Sequence, residues 1–228
     1  MKAKLTITMF IICLFVGQGN AQLVFDDGGV HNIDWHIDIE EEYHVYVRNG
    51  TTLNLLEEGF IHFLYVEDSS VVNVSNVLRT GAVSMIAQDD SVINIYGGRI
   101  TSILTALNRS TVNIYGGHIG FYINAGLDGV AYREIDTSVV TFYGHHFAID
   151  GVDVAYGEIN ISVGENDSVS GFLTGILANG ESIGGLPFQP NFYIYDNSRI
   201  VLAETAPEPA TILLLGLGSL FLRKIRSK

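Results

Sequence analysis

The chain has 228 residues, 47% of them hydrophobic and 11% aromatic, with 25 acidic side chains against 12 basic ones. That apolar content excludes intrinsic disorder, and a net charge of -13 excludes a nucleic-acid binder, because phosphate contacts need Lys and Arg. The length allows one large domain or two small ones. The basic residues gather at the two ends: Lys2 and Lys4 at the start, Arg223, Lys224, Arg226 and Lys228 at the finish. Between Gln22 and Ala206 there are six arginines, no lysine and 24 acids, a net of -18.

The first segment reads as an address. Lys2 and Lys4 precede an apolar run from Leu5 to Val16, followed by the small and polar residues Gly17 to Ala21. Positive start, short apolar core and small-residue site predict a signal peptide over 1–21, with Gln22 as the new N-terminus. The single cysteine, Cys13, lies inside it. The exported chain is therefore expected to owe nothing to disulfides.

Residues 22–48 show alternating apolar positions, Ile33, Trp35, Ile37 and Ile39, but do not fit the repeat spacing of residues 49–203. They are predicted to form an N-terminal cap, with Trp35 covering the end of a repeat array.

The body, 49–203, repeats itself. The pattern is Asx, any residue, Ser or Thr, any residue, aliphatic, Asn or Thr, apolar. It begins at Asn49, Asp68, Asp89, Asn108 and Asp136, with weaker copies at Asn166 and Asp196. The hydroxyl residues are Thr51, Ser70, Ser91, Ser110, Ser138, Ser168 and Ser198. The short steps suit one coil of a solenoid, and the longer ones a coil with an insertion. Within a copy the Asx starts a turn. Alternation then sends Ile93 and Ile95 inward and Asn94 and Tyr96 outward. Three copies continue with a shared signature: Tyr96-Gly97-Gly98-Arg99-Ile100, Tyr115-Gly116-Gly117-His118-Ile119 and Tyr143-Gly144-His145-His146-Phe147. The glycine pair predicts a corner, after which Ile100, Ile119 and Phe147 re-enter the core. One coil cannot bury its own apolar side, so coils must stack, at ~4.8 Å each. A β-sandwich does not keep a motif in near-constant register. The body resembles the right-handed parallel β-helix proteins of the pectate-lyase-like type. That resemblance implies an all-β, single-stranded right-handed solenoid.

Stacking turns equivalent positions into ladders. Asn54, Asn73, Asn94 and Asn113, continued by Thr141, are expected to hydrogen-bond from coil to coil as a structural ladder. Arg99, His118 and His146 form a candidate ligand stripe, suited to an anionic sugar or acidic polymer. Adjacent His residues on a strand face opposite ways, so His145 and His146 predict no metal site. Asn49, Asp68, Asp89, Asn108 and Asp136 make a turn column. Glu67-Asp68 above Asp89-Asp90 offers carboxylates to Ca²⁺, but solvated turn acids are the expectation. Glycoside hydrolysis needs two carboxylates at catalytic separation. Asp128, Asp136, Asp150 and Asp153 sit in the longer coils, and nothing in the spacing pairs them. No catalytic residue, cofactor or metal is predicted, and the chain is read as not an enzyme.

The end, 204–228, has three parts. Pro207-Glu208-Pro209 is followed by the uncharged, Leu-rich run Ala210 to Leu222, then by a basic stop containing Arg223, Lys224 and Arg226. The apolar run gives ~20 Å of helix against a ~30 Å hydrocarbon core, a marginal anchor with its basic end inside. This tail resembles the PEP-CTERM sorting signal. The resemblance implies recognition by an exosortase-type membrane protease, a transient inner-membrane helix, and a Gram-negative bacterium that makes exopolysaccharide. Together these features predict a secreted, non-catalytic, structural or adhesive solenoid of the cell surface or matrix. The alternative is a polysaccharide-active β-helix lyase or hydrolase.

Overall fold

A computed structural model shows how the repeats assemble. It describes residues 22–34, 44–56, 60–75, 81–126, 136–159, 169–184, 191–195 and 197–204. The predicted signal peptide, Trp35, Asp128, residues 185–190 and the tail from 205 onward lie outside those residues, and with them the expected C-terminal helix.

The described chain is all-β, in solenoid-like stacking. β2 (Val30–Ile33), β4 (Thr52–Leu55), β6 (Val71–Val74), the start of β8 (Val92–Ala106), the start of β9 (Thr111–Ile119), the start of β11 (Val139–Ile149) and β17 (Arg199–Glu204) stack in parallel as one sheet. Asparagines recur on it, which makes it the asparagine sheet. The opposing tyrosine sheet stacks β1 (Gln22–Phe25), β3 (His44–Val47), β5 (Phe60–Val66), β7 (Gly81–Ala87), the end of β8, β10 (Tyr122–Ala125) and β16 (Asn191–Ile194), also in parallel. A narrow third side carries the starts of β5 and β7, Arg99-Ile100 of β8 and His118-Ile119 of β9.

Alternation builds the core. Leu53, Leu55, Val72, Val74, Ile93 and Ile95 point in from one sheet, Val45, Leu64 and Leu104 from the other, and all are at most 1% exposed. Branched aliphatics suit this pleated, one-sided burial. Ile100, Ile119 and Phe147 are buried as the sequence predicts. Gly98 (φ 83°) and Gly117 (φ 103°) form the corner with left-handed backbone, open to a residue without Cβ.

Two register expectations change. Residues 22–33 keep the register of the coils rather than departing from it: β1 pairs residue for residue with β3, and β2 with β4. Asp27-Gly28-Gly29-Val30-His31-Asn32-Ile33 is a further copy, hidden because Gly29 stands at the hydroxyl site and His31 at an aliphatic site. Of the weak copy at Asn166, residues 166–168 lie outside the described residues, and its Val169 does not continue the parallel stack. Val169 begins β14 (Val169–Leu177), which runs antiparallel to β16, while β17 stacks directly on β11. The intervening chain also forms β12 (Val152–Asp153), β13 (Gly157–Glu158) and β15 (Ser182–Ile183), all antiparallel to their partners. Antiparallel β13 and β14 thus lie beside the last parallel strand of each sheet.

Candidate functional site

The turns come first, because they set the register of everything outward. Thr51, Ser70, Ser91, Ser110 and Ser198 each donate the backbone N–H to the carbonyl three residues back, at 3.1–3.3 Å. Asn49, Asp68, Asp89 and Asn108 take φ of 56–61°, which their short polar side chains tolerate. The turn acids are not merely solvated. The Asp68 carboxylate accepts the Asn49 N–H at 3.1 Å, and Asp89 accepts the Asp68 N–H at 3.3 Å and the Asn108 amide at 3.1 Å. Each carboxylate caps the coil next to it. Glu67 accepts from Gln88 and lies against Arg48, and Asp90 holds Arg109 through two bonds of 2.7 and 2.8 Å. The Arg109 guanidinium keeps the Asp90 carboxyl below its usual range.

The hydroxyl column is buried. Thr51 accepts the Gly28 N–H, and Ser110 donates to the Ala87 carbonyl at 3.1 Å. The Ser70 and Ser91 hydroxyls are buried without a partner. Asp136 departs from the other Asx positions. It is buried, accepts from the Ser138 N–H at 3.0 Å and from the Ser198 hydroxyl at 2.6 Å, and so ties its coil to a residue 62 positions later.

The asparagine ladder forms as expected and is longer by one. Asn54, Asn73, Asn94 and Asn113 each donate to the preceding asparagine at 2.8–3.0 Å, beginning from Asn32. Thr141 continues the register.

Beyond the ladder lies the tyrosine–glycine corner. Tyr96, Tyr115 and Tyr143 stack with centroids 5.1 and 4.3 Å apart and planes 12° and 10° from parallel. Burial, then the Tyr143 neighbour, pushes the pKa of the Tyr115 phenol up to about 12. Arg99 and His118 are in register on β8 and β9. His146 does not join them. The parallel register of β9 with β11 ends at Phe142, and His146 (φ 54°) sits at an irregularity where β11 pairs antiparallel with β14.

A hairpin tip, Ala178–Glu181, takes the place of the next coil. Ala178 N–H donates to Tyr143 O and Asn179 N–H to Tyr115 O. The Glu181 carboxylate accepts the Gly117 N–H and the Asn179 amide. A Cβ on Gly116 would overlap the Asn179 carboxamide and the Tyr96 carbonyl. His118 is therefore half-buried between Arg99 and Glu181. Burial first, then Arg99, pushes its pKa down, while Glu181 pulls it up. Sequence reasoning found Arg99 and His118 but missed Asn179 and Glu181, which lie more than 60 residues away with no repeat to announce them.

The acids considered for catalysis are dispersed in role. Asp136 is bound in the serine cluster, Asp150 accepts the Phe172 N–H at 3.0 Å, and Asp153 is exposed on β12.

The PEP-CTERM protein-sorting motif matches residues 205–227. It covers Pro207, Glu208, Pro209 and the basic stop Arg223, Lys224 and Arg226. The match implies an exported protein, sorted at a membrane by an exosortase, a membrane protease. No curated protein and no solved structure matches the chain.

Proposed function

We propose that the body is a non-catalytic, structural or adhesive solenoid, released at the surface or into the matrix of a Gram-negative bacterium, where it meets exopolysaccharide. The observation that carries this reading is where the repeated polar groups find their partners. The asparagine ladder and the turn carboxylates bond to neighbouring coils. Groups committed in this way stiffen a rod and are poorly placed to exchange protons with a substrate. A right-handed coil of the pectate-lyase type fits the strong preference of parallel crossovers for that hand.

The enzyme alternative would draw on Glu181 beside the stacked tyrosines. Hydrolysis asks for a second carboxylate across a glycosidic bond, and Asp136 and Asp150 already serve other partners. The test is incubation of the secreted, processed protein with a panel of acidic and neutral glycans, followed by assay of reducing ends and unsaturated products. No product is expected. Depolymerisation of any glycan overturns the non-catalytic reading.

A further inference from the structure

The outward face of the tyrosine sheet combines aromatic rings with an absence of charged strand positions. Two columns of outward residues cross its strands in register: one runs from Gln22 through His44 to Tyr122, the other from Val24 through Tyr46 and Tyr65 to Asn124 and Tyr193. The antiparallel strand β14 extends them with Ser170 and Phe172. Neither column contains an Asp, Glu, Lys or Arg, although the 22–206 stretch has a net charge of -18. At the turn beside the face stand Asp26 and the ion pair of Glu67 with Arg48, whose guanidinium lies 4.4 Å over the Tyr46 ring.

We infer that this face binds a linear, uncharged polysaccharide laid along the stacking axis. Charge is the first argument. Neither column supplies a cation to hold a polyanion, and the Arg48 guanidinium beside the face is already engaged by Glu67, whereas an uncharged chain needs no such partner. Side-chain chemistry is the second. Tyrosine offers a flat apolar body and a hydroxyl at its tip, which suits the apolar faces and hydroxyl rims of sugar rings. Tyr46 and Tyr65 stack at 4.9 Å, and Tyr122 lies 6.0 Å from Tyr193, so aromatic pairs occur toward both ends of the face. Exposure is the third. Val24 (39%), Tyr122 (40%) and Phe172 (42%) are the large hydrophobic residues of the face exposed beyond a third, and they lie at its two ends. The middle is half-buried and carries no broad bare patch of the kind a second copy would need to cover. The opposite face competes poorly, because its amides already bond to one another.

This inference rests on the non-catalytic reading, and the experiment separates the two. The secreted, processed protein is run in native gels containing hydroxyethylcellulose, dextran or galactomannan, and in gels containing alginate or polygalacturonate. Retardation is expected with at least one uncharged polymer and with neither polyanion. The variant Tyr122→Ala/Tyr193→Ala should bind that polymer about tenfold more weakly, in line with the loss of two ring contacts. Tyr96→Ala, on a different side, should bind as the parent does. Circular dichroism and melting verify folding, and Tyr46→Ala/Tyr65→Ala is a second probe should the first fail to fold. No retardation by any uncharged polymer, stronger retardation by a polyanion, or unchanged binding by both face variants overturns the inference. So does sedimentation that shows a dimer dissociated by the face variants. Release of reducing ends in the same incubations would instead sink the non-catalytic reading and leave the retardation result to judge the face.

Discussion

A single methyl group tests the corner. At Gly116 it would meet the Asn179 side chain, which can move, and the Tyr96 carbonyl, which cannot without breaking coil stacking. Gly116→Ala is expected to cost about 3 kcal/mol, among the larger single-residue effects. Gly50 has open space around it and only a left-handed φ of 71° to satisfy. Gly50→Ala should therefore cost only about 1 kcal/mol of backbone strain. Equal shifts in urea midpoint would refute the steric account. His118 adds a pH dependence at the same corner. Its pKa is lowered from 6.5 by burial and by Arg99, so the folded chain resists a proton that the unfolded chain accepts. The stability it contributes is complete above 6.5 and is lost as pH falls through that value toward the lower folded one. His118→Gln should flatten stability against pH in that interval; an unchanged slope would rule His118 out as the source. Tyr115 is the mirror case. Its phenol, raised to about 12, should titrate late in alkaline ultraviolet difference spectra, and Tyr143→Phe should bring it down. The tyrosines and glycines of this corner are legible in sequence because they recur within a coil. Their partners Asn179 and Glu181 are not, because a hairpin tip has no period.

The ladder is a property of stacked strands rather than of one residue. An interior asparagine such as Asn73 bonds to Asn54 on one side and Asn94 on the other, whereas Asn32 is bonded only to Asn54 among the described asparagines. Asn73→Ala removes two hydrogen bonds and leaves two half-buried neighbours short of a partner, an expected loss of about 2 kcal/mol. Asn32→Ala should lose about half of that by the same accounting. Denaturant midpoints of the two variants provide the comparison, and a larger effect at Asn32 would contradict the ladder account. This period also shows what sequence can and cannot read. Five strong copies fixed the inward and outward sides of their strands, and Asn32 escaped only because Gly29 and His31 replaced two marker residues. The copy at Asn166 misled because Asn-Asp-Ser-Val is short. Alternation in β14 looks the same whether that strand runs parallel or antiparallel. Direction is decided by where the chain turns back, and the Asp136–Ser198 contact that shows β17 to be the next rung spans 62 residues.

At the scale of the whole molecule, charge is distributed by structural role. Among the described residues, strand positions on the two broad faces carry almost no Asp, Glu, Lys or Arg, and Asp68 and Asp89 lie at turns, where they cap adjacent coils. The basic residues outside this body belong to the two terminal segments, and Arg223, Lys224 and Arg226 fall within the sorting motif. Among the described residues the last rung of the asparagine sheet, β17, ends at Glu204, ahead of the sorting motif. Folding of the body and processing of the tail should therefore be separable. Replacing Pro207, Glu208 and Pro209 by alanine leaves every described hydrogen bond intact, so the variant's body should melt as the parent's does. What should change is its fate. The parent is expected to lose its tail, while the variant keeps the apolar run and basic stop and stays with the membrane. Intact mass of the exported protein and its partition between membrane and medium give the readout. A variant shortened and released like the parent would show that the Pro-Glu-Pro motif is not what the protease reads, and an altered melting temperature would show that body and tail fold as one.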